Sequence, residues 1–209
     1  MTHNIPKAII ETCEERNIDL MILGWEGEKA AHNRVFGTIL DEIILNTVCD
    51  IVLMCRPPER KTKIPRILIP VSTLKYAVLS LQIAEIMTKD KDVPIVLFHA
   101  TYRDDVERIK EFYEKELRKL NCGINPDKYE VVIKKTNKLS NAILEETQSD
   151  DLVIMGAPEE GLVRRAMFGD IPLEIARKSE ASLILTKKYT GHVKTWFQKF
   201  FGSRKTMLE

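Results

Sequence analysis

Residues 18–56 read IDLMILGWEGEKAAHNRVFGTILDEIILNTVCDIVLMCR, and residues 150–188 read DDLVIMGAPEEGLVRRAMFGDIPLEIARKSEASLILTKK. The two align without a gap. Asp19 falls on Asp151, Gly24 on Gly156, Phe36 on Phe168, Gly37 on Gly169 and Ile39 on Ile171. Each pair is 132 positions apart, as in 156 − 24 = 132. Such a repeat is read first, because it says how many structural units the chain holds. In both copies an apolar run ends in glycine, a polar loop follows, then a helical stretch, then a second apolar run.

Working outward, the same grammar fills the rest of the chain. Periodicity predicts helices over about 7–16, 38–46, 74–88, 104–120, 139–148 and 170–178. It predicts strands over 19–25, 50–56, 66–72, 94–100, 129–135, 151–157 and 182–188. The run DLMILGW (19–25) is apolar throughout, as expected of a strand buried on both faces. Short strands alternating with helices predict an α/β fold with an open parallel five-stranded sheet and helices on both faces.

The helices ahead of each repeat also match, AIIE (8–11) with AILEE (142–146), after a two-residue slip. The predicted organisation is therefore half of a first unit (1–57), a linker (58–64) marked by the two prolines and dense charge of PPERKTK (57–63), a complete second unit (65–188) and a tail (189–209). The first copy lacks the part equivalent to residues 64–138, which predicts an unpaired strand edge and a half-covered core. That predicts a piece of a longer protein, or completion by another chain. A third arrangement packs strand 50–56 on strand 182–188.

Composition excludes several classes. Lys plus Arg is 32 against 31 for Asp plus Glu, far from the basic footprint of a nucleic-acid binder. No apolar run approaches the roughly 18–20 residues of a membrane span. The opening MTHNIPKAIIETCEERN has no apolar core of a signal peptide, so a cytoplasmic protein is expected. Cys13, Cys49, Cys55 and Cys122 have no CxxC spacing and no histidine at metal spacing, and they read as reduced, structural thiols. Nothing resembles a nucleophile elbow or a HExxH zinc site, so no enzyme activity is expected.

The loop of the first copy carries the chemistry. Gly24 is followed by two residues and Gly27, then by nine residues and Gly37-Thr38. Glycines let a backbone approach phosphate oxygens. The helix that follows offers unpaired N–H groups and a positive dipole end. Thr38 adds a hydroxyl donor, and His32, Asn33 and Arg34 lie where a polyanion would rest. Three glycines at this spacing arise by chance in roughly 7% of such chains, and about 1% when Ser or Thr must follow, so the strand-before, helix-after context is needed to make the motif specific.

This G-x2-G-x9-G-(S/T) signature resembles the ATP-binding loop of the universal stress protein family. RILIPVS (66–72) and IVLFHA (95–100) resemble that family's first two strands, so the likeness covers about residues 5–188. The resemblance implies units paired through their last strands, within one chain or as a homodimer, and regulatory roles rather than catalysis. It implies that Gly24, Gly27, Gly37 and Thr38, with Arg34 beside them, hold the nucleotide ATP, with magnesium accompanying. The second copy departs from the pattern: Glu159 replaces the second glycine and Asp170 the Ser/Thr. Two carboxylates there would repel a polyphosphate. Ser72 also stands where the family usually carries an acidic residue, so the second unit is expected to be structural.

In the tail, Val193, Trp196, Phe197, Phe200 and Phe201 fall on one helical face flanked by Lys194, Lys199, Arg204 and Lys205. That face suits a membrane surface, a partner or the protein's own sheet. It resembles tails on stress-protein-type domains fused to amino-acid permeases, and an alternative reading is a transporter's cytosolic regulatory domain.

Overall fold

The computed structural model describes residues 4–25, 38–55, 63–120, 122–157 and 171–189. In chain order these form α1 (Ile5–Glu15), β1 (Leu20–Gly24), α2 (Thr38–Asn46), β2 (Asp50–Cys55), β3 (Ile67–Pro70), α3 (Leu74–Met87) and β4 (Ile95–Thr101). Then come α4 (Val106–Lys119), β5 (Tyr129–Lys135), α5 (Leu139–Glu146), β6 (Leu152–Gly156), α6 (Ile171–Lys178) and β7 (Ser182–Lys187). Every predicted element is present, with ends shifted by a residue or two. A short 3-10 turn at Pro126–Lys128, capped by the Asn125 side chain, was not expected.

The expected five-stranded parallel sheet is part of something larger. All seven strands join one sheet in the order β1-β2-β7-β6-β3-β4-β5. Every neighbouring pair is parallel except β2 and β7, which run antiparallel. The joint arises because the last strands of the two copies pair edge to edge, which satisfies two rows of backbone groups at once.

The repeat holds at the level of single hydrogen-bonded partners. Leu20 pairs with Asp50 and Gly24 with Met54, while Leu152 pairs with Ser182 and Gly156 with Thr186. Each partner is displaced by the same 132 positions. The antiparallel joint has the same symmetry: Ile51 faces Lys187, Cys55 faces Leu183, and Leu53 faces its own repeat equivalent, Leu185. An approximate two-fold axis thus passes through the Leu53–Leu185 pair, as in an isologous dimer interface.

Apolar side chains fill both faces. One core layer includes Ile44, Ile51, Leu53, Phe98, Ile143, Ile175 and Leu185 from strands and from α2, α5 and α6. The other includes Ile67, Ile69, Ala77, Leu81, Leu97, Leu117 and Ile154, from strands and from α3 and α4. The second layer does not reach the end of the sheet. Leu20, Ile22 and Met54 are exposed, so β1 is not the strand buried on both faces that its composition suggested. Its composition suits a central strand, but its place is at the edge, with no helix among the described residues over one face.

Candidate functional site

In an open α/β sheet, ligands bind beyond the carboxyl ends of the strands, where the strand order reverses. In the second unit this point lies between β3 and β6, because β4 and β5 continue to one side of β3 while β6 and β7 lie on the other. The helix α3 packs tightly on the strand end there. A Cβ placed on Gly156 would sit 2.0 Å from the Tyr76 carbonyl oxygen and 2.9 Å from its carbon. Glycine is required because α3 crosses the end of β6 at backbone contact. Just beside it, the Ser80 and Thr186 hydroxyls lie 2.8 Å apart in the buried core.

The loop between β3 and α3 is tied down as well. The Tyr113 hydroxyl donates to the Ser72 carbonyl at 2.9 Å. His99 Nδ1 lies 2.9 Å from both the Val71 carbonyl and the Tyr113 hydroxyl. Both neighbours accept at that point, so Nδ1 carries the proton. Burial pushes the Tyr113 hydroxyl up to about 12, so it stays a donor. The sequence flagged Ser72 by its position but gave no sign of these anchors.

The base of the second unit is held by charge. Arg66 donates through Nε to Asp151 Oδ1 at 3.0 Å and through Nη2 to Asp151 Oδ2 at 2.6 Å. It also reaches the Glu146 carboxylate at 3.2 Å and the Glu146 carbonyl at 2.7 Å. Asp151 is fully buried, and its hydrogen bonds hold the guanidinium firmly protonated.

The first copy presents the same strand end without those neighbours. Gly24 is the last residue of β1, and a Cβ added there would meet nothing within 4 Å among the described residues. Thr38 is the first residue of α2, so the strand–loop–helix context expected around the motif is present. Gly27, Arg34 and Gly37, together with His32 and Asn33, lie outside the described residues. So do Glu159 and Asp170 and the aromatic tail. Of the expected site, the structure describes the two ends, Gly24 and the backbone of Thr38.

One cluster the sequence did not suggest joins the copies. The Cys13 and Cys49 Sγ atoms lie 3.2 Å apart, though 36 positions separate them. Both thiols are buried, and desolvation, with Cys13 adding to it, pushes Cys49 up to about 12. Near them Lys187 is buried, pushed down to about 8 by loss of hydration, and donates to the Ile44 carbonyl at 2.6 Å. Among the described residues no group of three or more His, Cys, Asp or Glu is placed to hold a metal ion. No helix among them is long and apolar enough to cross a membrane.

Comparison with known proteins fits this geometry. No family profile matches the chain. A universal stress protein from Archaeoglobus fulgidus superposes with a TM-score of 0.62 at 17% identity, over 89% of this chain and 66% of that one. A protein of unknown function from Pseudomonas aeruginosa superposes at 0.59 and 12% identity, over 93% of this chain and 72% of that one. In sequence, the Na(+)/H(+) antiporter NhaS5 of Synechocystis is 23% identical over 186 residues. The match covers 87% of this chain but only 26% of the antiporter, so the chain spans about a quarter of that relative's length. These superpositions over about nine-tenths of the chain lead to one conclusion: the chain has the fold of the universal stress proteins.

Proposed function

We propose that the chain is a regulatory module of universal-stress-protein type that binds ATP, with magnesium accompanying it, through the loop of its first copy. The second copy is structural. The observation that carries this reading is the placement of the motif's two ends, Gly24 closing β1 and Thr38 opening α2, so that the glycine-rich loop joins a strand's carboxyl end to a helix N-terminus. A glycine at a strand's carboxyl end lets the backbone close on phosphate oxygens. Gly27 and Gly37 extend that freedom, Arg34 brings a positive charge, and the start of α2 at Thr38 supplies free N–H groups. Nucleotide occupancy would order residues 25–37 and be felt across the β2–β7 joint.

On this reading the division into 1–57, 58–64, 65–188 and 189–209 follows the repeat, and the activity is binding rather than catalysis. Calorimetric titration with ATP tests it. The 209-residue chain should bind at micromolar level, and Gly27→Glu, which copies the second loop, should not. Absence of binding by the unaltered chain refutes it. Phosphate release abolished by Glu26→Gln would replace it with a hydrolase.

The antiporter relative favours a second reading, a cytoplasmic regulatory domain of an ion or amino-acid transporter. The tail would then dock on the membrane surface or the transporter. Co-sedimentation with anionic liposomes that is lost in Trp196→Ala and Phe200→Ala would support it, and no binding to liposomes would remove the membrane arm.

A further inference from the structure

The outer edge of β1 and the apolar face beside it have no partner among the described residues, and their equivalents in the second unit show what such a surface is built to receive. Leu20 and Ile22 are 36% and 59% exposed, and Met54, on the neighbouring strand, is 40% exposed. Shifted by 132, these positions are Leu152, Ile154 and Thr186, which are 3%, 0% and 1% exposed. Register places Ile22 beside Val52 and Gly24 beside Met54, so the exposed residues form one continuous strip.

The backbone shows the same open side. Trp25 N–H bonds to the Met54 carbonyl, and Asp50 N–H to the Asp19 carbonyl. Odd-numbered residues of β1 therefore face β2, and Leu20, Ile22 and Gly24 direct their N–H and C=O groups outward. In the second unit the residue equivalent to Leu20, Leu152, donates to the Arg66 carbonyl at the start of β3. Gly24 adds an independent mark. Gly156 is glycine because the backbone of α3 reaches it, whereas nothing among the described residues lies within 4 Å of the same point on Gly24. Asp19 repeats the comparison: it is exposed, while Asp151 is buried against Arg66.

We infer that this strip is the docking surface for a strand–helix segment built like β3–α3. That segment is the one the repeat places directly ahead of α1 in the same polypeptide. Its strand runs parallel on the outer edge of β1 and opens with a basic residue that meets Asp19. Its helix lays a backbone turn against Gly24 and small side chains over Ile22. Because Met54 stands where Thr186 meets Ser80, the residue in Ser80's place is apolar rather than a hydroxyl. A relative of which the matched region is 26% is long enough to carry such a segment. The inference does not depend on nucleotide binding. Its occupant would nevertheless supply the wall that the Gly24 loop lacks and the second unit has.

The test is to place a copy of residues 63–137, carrying Ser80→Ala, directly ahead of Asn4, so that Asn4 takes the place of Lys138. Hydrogen exchange is then compared with the 209-residue chain. Docking slows the amides of Leu20, Ile22 and Gly24 at least tenfold, and Ile22→Glu abolishes that protection. Unchanged exchange in a folded fusion overturns the inference. A measurement on the unaltered chain stands independently of whether the fusion folds. If those three amides exchange freely and Ile22→Glu leaves the melting temperature in place, the surface is open, as inferred. If they are already protected, or if Ile22→Glu abolishes a dimer seen in sedimentation, a second copy or the chain itself covers the strip and the inference falls.

Discussion

The ends of β1 and β6 differ in surroundings far more than in sequence. Both strands carry an apolar run ending in glycine, and both lie parallel to a second strand 30 positions on with matching register. Yet Ile154 is completely buried and Ile22 is more than half exposed. An apolar strand records what its environment can be, while burial is decided by the layer laid over it. The second unit has α3 and Arg66 to close its sheet, and the first has neither.

Removing the charge that closes the second unit gives the largest expected effect. Arg66→Ala leaves Asp151 buried without its bidentate partner, a loss expected to cost about 3–5 kcal/mol. Asp19→Ala, at the equivalent but exposed position, should stay within about 0.5 kcal/mol. Chemical denaturation of the two variants measures both, and equal losses would dissolve the distinction between the copies.

Next come the glycines. Gly156→Ala drives a methyl into the Tyr76 backbone and should destabilise by about 1–3 kcal/mol, since a helix backbone yields less easily than a side chain. Gly24→Ala meets open space, so its folding stability should barely change. A drop in ATP affinity without loss of stability at Gly24 would sharpen the contrast further.

The smallest effect lies at the joint. Lys187 is held near a pKa of about 8 in the folded chain, below the ordinary value of 10.5. Between those values the unfolded chain binds the extra proton, so this group's contribution to stability rises with pH. Below pH 8 both states are protonated and the penalty for burying the charge is fully present. From pH 7 to 9 the unaltered chain should gain about 1 kcal/mol relative to Lys187→Met. The difference between the two proteins removes the opposing influence of Cys49, whose raised pKa lowers stability above about pH 9. Parallel pH profiles for the two proteins would show that Lys187 titrates normally.

Much of this fold is legible from short-range pattern. The 132-residue repeat survives down to individual strand partners, because both copies keep the same ungapped spacing from strand to strand. What escaped the sequence were contacts between distant positions. Nothing near Cys13 points to Cys49, nothing near Arg66 points to Asp151, and no local pattern says that a β3–α3 loop will hang on Tyr113 and His99. The exposure of β1 escaped for a related reason: composition cannot show that a neighbour is missing. Of the expected nucleotide loop, the strand end at Gly24 and the helix start at Thr38 stand where the motif requires them. Between the two copies the glycines at the loop's ends are kept, Gly24 with Gly156 and Gly37 with Gly169, while most residues between them differ.

The antiparallel pairing centred on Leu53 and Leu185 has one more consequence. Two separate molecules joined through such an edge would associate according to their abundance, and dilution would part them. Here the two halves of the joint are tethered in one polypeptide, which fixes their mutual effective concentration. The first copy therefore meets the second at a one-to-one ratio, whether the cell makes a few of these chains or very many.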